Sequence, residues 1–502
     1  MQDNARKTTD TGKSNLSRHL SLLGLASTGI CSMLGASIYV VPFMIQKNVP
    51  GIGPYVLPAF LFAALPAILA AFSYSILGSA MPRAGGSYVY ASRGLSPYLG
   101  FVASFSQWFG LSIAIGVISY LIIPFYRDIA TQLQYHDLAT LLDTGLIRVG
   151  LSLALLWTFV YVNIRGVTAY ERTVIPLMFL MFGLGAIVII AGYSFNETDF
   201  AEAMGDDASF LESMGETTHF GWGVFLSASA LLFSSFIGFD SIAQAGGEAK
   251  NPSRNLPLAI IIAMVTVGGF YFIFTSAVYH SVPWQFVAAQ AQQQDITAAG
   301  LLSYLLPSGL AIAIVLGAAI ALLNDLPAMI MSVSRLMFAW ANDGIFPKGI
   351  ARIDMKFRTP KNAIIISGMM ATIGILGSHF AGDIFLGIDI MVTSMLVNFL
   401  LMCITVLTLP IKNPSIGSEV KVLRNRTLQW IIAGSGSIVL LFFLVIHIMK
   451  DMNSEVEAWY FHSTPVWIIV MLGASLIYLN EISKLKRKGI DINGRFGRLP
   501  ES

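Results

Sequence analysis

Two short stretches decide how this chain is read. The first is Ser32-Met33-Leu34-Gly35-Ala36-Ser37-Ile38, closed by Pro42. The second is Ser234-Ser235-Phe236-Ile237-Gly238-Phe239-Asp240. Each is a run of small and polar residues near the middle of a long apolar segment. A helix that unwinds within lipid leaves backbone N–H and C=O groups unpaired, at several kcal/mol each. Unwound backbone therefore persists only where it is buried in protein or lines a cavity. Small residues also let membrane helices approach closely, and either stretch alone reads as a packing seam. The pair reads differently. The two stretches lie five apolar segments apart, hence in opposite orientations across the membrane. That is the pattern of inverted repeats whose broken helices meet at the midplane. Asp240 adds an ionisable group inside the bilayer, which is functional by default.

Outward from these stretches the chain resolves into twelve apolar runs, each close to the ~20 residues a bilayer requires. They cover 20–45, 55–79, 98–125, 147–164, 173–195, 222–245, 256–282, 305–340, 362–380, 383–409, 428–449 and 464–479. Of the 502 residues 55% are hydrophobic and 12% charged, against about 25% charged in soluble domains. Mean hydropathy is +0.71. An ordinary cytosolic enzyme and a disordered chain are both excluded. A net charge of +2 points to no nucleic-acid partner. Cys31 and Cys403 sit in apolar runs, and the seven histidines lack metal-ligand spacing, so neither a disulfide framework nor a zinc site is readable. The first run is too long for a signal peptide and lacks a small-residue cleavage site.

Twelve spans place both chain ends on one side. With both ends cytoplasmic, 26 of the 30 Lys and Arg residues fall on that side; only Lys47, Arg127, Arg148 and Lys450 fall opposite. The positive-inside rule favours this orientation, and a wrong span count would scramble the asymmetry. The outer loop 196–221 carries seven acids and no Lys or Arg, and reads as a solvated loop. The Lys484–Lys488 cluster reads as an anchor at anionic headgroups.

Four motifs, in order and on the expected spans, carry a family resemblance. Leu34-Gly35-Ala36-Ser37-Ile38-Tyr39-Val40-Val41-Pro42 resembles the G-S-G-I-F-x-x-P first-helix motif of the amino acid–polyamine–organocation superfamily. Met81-Pro82-Arg83-Ala84-Gly85-Gly86-Ser87-Tyr88-Val89-Tyr90 resembles its P-x-x-G-G-x-Y-x-Y segment. Gly238-Phe239-Asp240-Ser241 and the following Glu248-Ala249-Lys250-Asn251-Pro252 resemble its sixth-helix end and loop. Ser334-Arg335 with Asp343-Gly344-Ile345-Phe346-Pro347 resemble the end of its eighth helix. The resemblance implies an all-α polytopic membrane protein with twelve transmembrane helices. These form a five-plus-five inverted repeat with broken helices 1 and 6, plus two C-terminal helices.

It also implies amino acid or amine substrates. The substrate carboxylate would lie on backbone N–H groups of Ala36 and Ser37 beside Gly35, and the physics agrees, since a half-helix N-terminus attracts anions. The amino group would lie on the carbonyls of Met33, Ser234 and Ile237, next to Gly238. Many relatives carry an aromatic gate where this chain has Ser234; Phe236 or Phe233 stands close enough to supply one. Proton-coupled and exchanging relatives often keep a lysine on the fifth helix, where this chain has Met181. Asp325 falls where relatives have a hydroxyl facing that lysine. Two readings of Asp325 stay open: a protonated carboxyl bonded to a neighbouring helix, or a site for Na+ or H+. Asp240 reads as a coupling or gating group. Gln107, Trp108 and Asn398 are candidate pocket residues.

The expected organisation is a cytoplasmic tail at 1–19, a first repeat at 20–195 and the acidic extracellular loop at 196–221. A second repeat follows at 222–410, two further helices at 411–482, and a basic cytoplasmic tail at 483–502. The function expected is a secondary active transporter of amino acids in the cell membrane, coupled to H+ or Na+ or exchanging. A polyamine or other amine permease is the alternative, and a transporter-like sensor is a further one. An enzyme is not expected, since no metal motif, phosphate loop or nucleophile–base pair is readable. No cofactor is expected beyond a coupling ion. The partners are a small-molecule substrate and the lipid bilayer.

Overall fold

The computed structural model describes residues 16–35, 37–205, 219–293, 296–381, 385–454, 456 and 458–500. Ala36, most of the N-terminal tail and the centre of the acidic loop lie outside the described residues. Twelve helices are long and apolar enough to cross a membrane, and no β-strand occurs among the described residues. The spans are Leu22–Asn48, Gly53–Ala80, Pro97–Gln132, Gly145–Ile164, Val167–Ser194 and Trp222–Gln244. They continue as Pro252–Ser281, Gly309–Asn342, Lys361–Phe380, Leu386–Lys412, Arg426–Asn453 and Ser463–Arg487.

The third span is the central post, packed against the eighth, ninth and tenth. The seventh packs on the second, the fifth and the first half of span one. Spans eleven and twelve are peripheral. In its most apolar window the first span is 82% buried, the twelfth 22%. A span wrapped by protein on all sides is where unwinding is tolerated, and the burial order points to the first.

Both expected breaks are present. The first span is helical over Leu22–Met33, leaves the helix at Leu34 and Gly35, and resumes over Ser37–Asn48. The sixth is helical over Trp222–Leu232, tightens to a 3-10 turn over Phe233–Phe236, and ends in the short helix Ser241–Gln244. Between these pieces Ile237 is extended and Gly238 has φ +135°, a conformation open to glycine and hardly to any other residue.

Some boundaries differ from the hydropathy reading. The twelfth span continues past Leu479 to Arg487, because Lys and Arg can lay their stems along a helix and hold the charge in water. The acidic loop is in part a helix, Glu197–Met204, opened by a capping box between Asn196 and Asp199.

Candidate functional site

The two breaks touch. A side chain on Gly238 would press into the Ser32 carbonyl and come within 2.8 Å of the Met33 nitrogen. The Ser32 and Ser241 hydroxyls lie 3.1 Å apart across the same seam. Gly238 therefore serves twice: it adopts the positive φ, and it lets one broken backbone lie on the other.

Gly35 faces a different neighbour. A Cβ there would run into the Asp325 carboxylate of span eight. The space left by the missing side chain is thus occupied by Asp325. Asp325 is buried, and its Oδ1 accepts from no described residue; the Oδ1 of Asn324 is likewise unpartnered. Asn324 turns its amide to the Cys31 thiol at 2.8 Å. Pro327, one turn on, lacks the N–H that would bond the Leu323 carbonyl, which loosens the helix at this level. Met181 of span five is buried and brings no charge.

The carbonyls expected to hold an amino group are unequal. The Tyr271 hydroxyl of span seven donates to the Met33 carbonyl, so one of that oxygen's two lone pairs is taken. The Ser234 carbonyl accepts the Ile237 amide at 3.2 Å, and the Ser234 hydroxyl bonds the Leu231 carbonyl at 2.7 Å. No described residue donates to the Ile237 carbonyl. Tyr271 escaped the sequence reading because a tyrosine in an apolar helix carries no distinguishing local signal. Ser37 lies 3.4 Å from the same hydroxyl.

Of the two gate candidates, Phe236 stands at the breaks. Its ring meets Phe60 at 5.4 Å and Tyr271 at 5.7 Å, both edge to face. Phe233 instead packs against the buried rings of Phe399 and Phe443. The far side of Phe236 floors an apolar groove of about 390 Å³ between spans two and seven.

Asp240 is fully buried and sits in a polar network. Gln107 donates to its Oδ2. The Gln107 oxygen accepts from Gln244 at 3.4 Å and from Asn398 at 3.3 Å. Gln244 bonds Ser87 at 2.7 Å, and Tyr74 bonds both Asn398 and Ser87 at 2.7 Å. Spans two, three, six and ten and the short helix Gly86–Gly94 meet here. Gln107 and Asn398, read as pocket residues, are thus members of this network. Trp108 faces span nine, its indole N–H 3.3 Å from Ser367.

Beyond the network lies a seal. Glu248 and Arg335, recognised as separate motifs, form a buried two-bond pair at 2.9 and 2.7 Å. Arg93 and Asp343 form another at 2.5 and 2.9 Å. Leu20 pairs in strand fashion with the 248–250 loop, donating to the Glu248 carbonyl and accepting from Lys250, both at 2.9 Å. Gly85, with φ +72°, and Gly86 let the 81–86 loop wedge between Ala243 and Arg335.

Twelve helices long and apolar enough to cross a membrane, two of them broken and touching at the breaks, define a multi-pass membrane protein. A family model described as amino acid permease matches residues 20–474, and the chain belongs to that family. It is 26% identical to cationic amino acid transporter 4 of Mus musculus over 72% of this chain; the match spans 56% of the mouse protein's own length. It is 26% identical to the methylthioribose transporter of Bacillus subtilis, over 81% of this chain and 84% of that protein. It is 24% identical to the branched-chain amino acid permease BcaP of the same organism, over 73% and 76%. The chain is a permease, not an enzyme.

Proposed function

We propose that this permease moves amino acids by alternating access. The broken backbones of spans one and six hold the zwitterion, and Asp325 carries the coupling cation. One observation carries the reading: a buried carboxylate with an unpartnered oxygen lies against Gly35, at the point where span one unwinds. An ionised carboxylate in such a place is costly unless a proton or cation compensates it. No described Lys or Arg forms an ion pair with it. Loading Asp325 with H+ or Na+ then favours one packing of span one, and substrate completes the site from the other side of the break.

In this pose the carboxylate of the substrate lies on the N-terminal end of Ser37–Asn48, at Gly35, Ala36 and Ser37. Its ammonium lies on the Ile237 carbonyl, with the remaining lone pair of Met33 and the Ser234 carbonyl nearby, beside Gly238. Phe236 closes over it. Asp240 ties the short helix of span six to spans three and ten, so the seal beyond it moves with the site. The chain would consist of two inverted five-span repeats, 20–195 and 222–410, with both ends cytoplasmic. The relatives named for amino acids support the substrate class. An amine substrate is the second reading, favoured by the lone carboxylate at the site.

The test is uptake of radiolabelled leucine, lysine and putrescine into proteoliposomes under an imposed pH or Na+ gradient. Accumulation of an amino acid supports the reading. Accumulation of putrescine alone favours the amine reading, and transport of none of the three refutes both. For orientation, a maleimide applied outside cells should label Thr140→Cys and miss Lys488→Cys; the reverse would invert the topology.

A further inference from the structure

Span twelve ends at Arg487, and just past it Gly489, with a φ of +73°, sets a left-handed turn. The Gly489 amide bonds the Lys486 carbonyl at 2.9 Å, and the Ile490 amide bonds the Leu485 carbonyl at 3.2 Å. The chain therefore reverses and returns across the sealed end. The residues after it, read from the sequence as a basic tail, are captured by their main chain. Asn413, at the end of span ten, donates to the Gly497 carbonyl at 3.1 Å. Arg93 donates to the Arg498 carbonyl at 3.2 Å. Arg83 donates to the Pro500 carbonyl at 3.0 Å. In the other direction, Arg495 donates to the Asn342 carbonyl, where span eight ends, at 3.4 Å. Phe496 is 4% exposed, with the Arg93 guanidinium 5.1 Å from its ring centre.

These anchors lie on different elements of the sealed end: the Arg83 loop, the Arg93 helix and the ends of spans eight and ten. Arg83 lies in the loop wedged against 243–247; a Cβ on Gly246 would meet its carbonyl at 2.8 Å. Arg93 is fully engaged, with Asp343 on two nitrogens and the tail on its third. Lifting either element away from spans eight and ten pulls its donor off the tail.

We propose that residues 489–500 form a latch that holds this seal shut, so that the Arg83 loop and the Arg93 helix part from spans eight and ten only after the segment lifts. The latch rests on the permease reading in one respect only: opening of this end is taken as a step of transport. Its occupant is the chain's own segment, bound through carbonyls and one buried ring.

The test is hydrogen–deuterium exchange of the full chain in lipid nanodiscs, without substrate. Four proteins are compared: the unaltered chain, Phe496→Ala, Phe496→Tyr, and a chain with a protease site after Lys488, before and after cleavage. Both releases should speed exchange in 81–86 and 243–250 about tenfold, the equivalent of losing one or two hydrogen bonds. The ninth span and the melting temperature should stay unchanged, and Phe496→Tyr should keep the protection. Unchanged exchange in those two segments would overturn the latch. So would faster exchange everywhere, ninth span included, because the segment would then be a general support. No substrate is added, so a wrong substrate assignment leaves this readout intact.

Discussion

The two levels of this molecule treat buried charge in opposite ways. At the sealed end, Arg335 meets Glu248 and Arg93 meets Asp343, each pair through two hydrogen bonds. At mid-span, the Asp325 carboxylate keeps one oxygen without a described partner. Satisfied pairs make a closed structure that resists opening. A buried acceptor left open is a place for something that comes and goes. The difference separates paired buried charge at one end of the permease from an open buried acceptor at the break of span one.

The largest expected effect is at the seal. Glu248→Ala leaves the Arg335 guanidinium buried and unpaired, which costs about 3–5 kcal/mol. Thermal unfolding in detergent should show a large drop, and Glu248→Gln a smaller one. If Glu248→Ala melts like the unaltered protein, the seal does not depend on that pair.

Next comes the contact of the two breaks. Gly238→Ala must adopt a strained φ and push the Ser32 carbonyl aside, at a combined cost of about 3 kcal/mol. Ser32→Ala should give no rescue, because the obstacle is main chain. Gly35→Ala should cost less, about 1–3 kcal/mol, since the atom it meets belongs to a side chain that can turn. Here Asp325→Ala should rescue, with a coupling of at least about 0.5 kcal/mol in a double-mutant cycle on melting. Rescue of Gly238→Ala by Ser32→Ala, or none of Gly35→Ala by Asp325→Ala, would reverse the contrast between the breaks.

The smallest effect is the hydroxyl pair across the seam. Ser32→Ala alone should lower stability by about 0.6 kcal/mol, typical for a polar contact between membrane helices. A loss of several kcal/mol would mean that the seam is held by this pair and not by the glycine.

The breaks were legible because glycine and small polar residues stand out in an apolar run, and because two such sites at matching depth explain each other. Twelve spans were legible for the same reason that hydropathy works at all: every backbone group must be satisfied within its own segment. Asp325 was legible as an anomaly, one carboxylate in a span without a lysine opposite. Its position against Gly35 was not, since that depends on the rotation of span eight. The Glu248–Arg335 pair joins residues 87 apart in sequence, and spacing alone does not match one buried charge with another. Tyr271 looked like any aromatic in a membrane helix until its hydroxyl was seen on Met33. The returning tail was hidden most deeply, because its binding groups are carbonyls, which every residue carries.

The central claim is that Asp325 holds the coupling cation. The direct measurement compares Asp325→Asn with the unaltered permease in proteoliposomes, using the best-transported radiolabelled amino acid. One arm imposes a pH or Na+ gradient, and the other preloads unlabelled substrate and follows exchange at equal ion concentrations. Asparagine keeps the size and removes the ionisable group. The account predicts that gradient-driven accumulation falls to simple equilibration while exchange persists. Accumulation by Asp325→Asn with unchanged dependence on the same cation would contradict it.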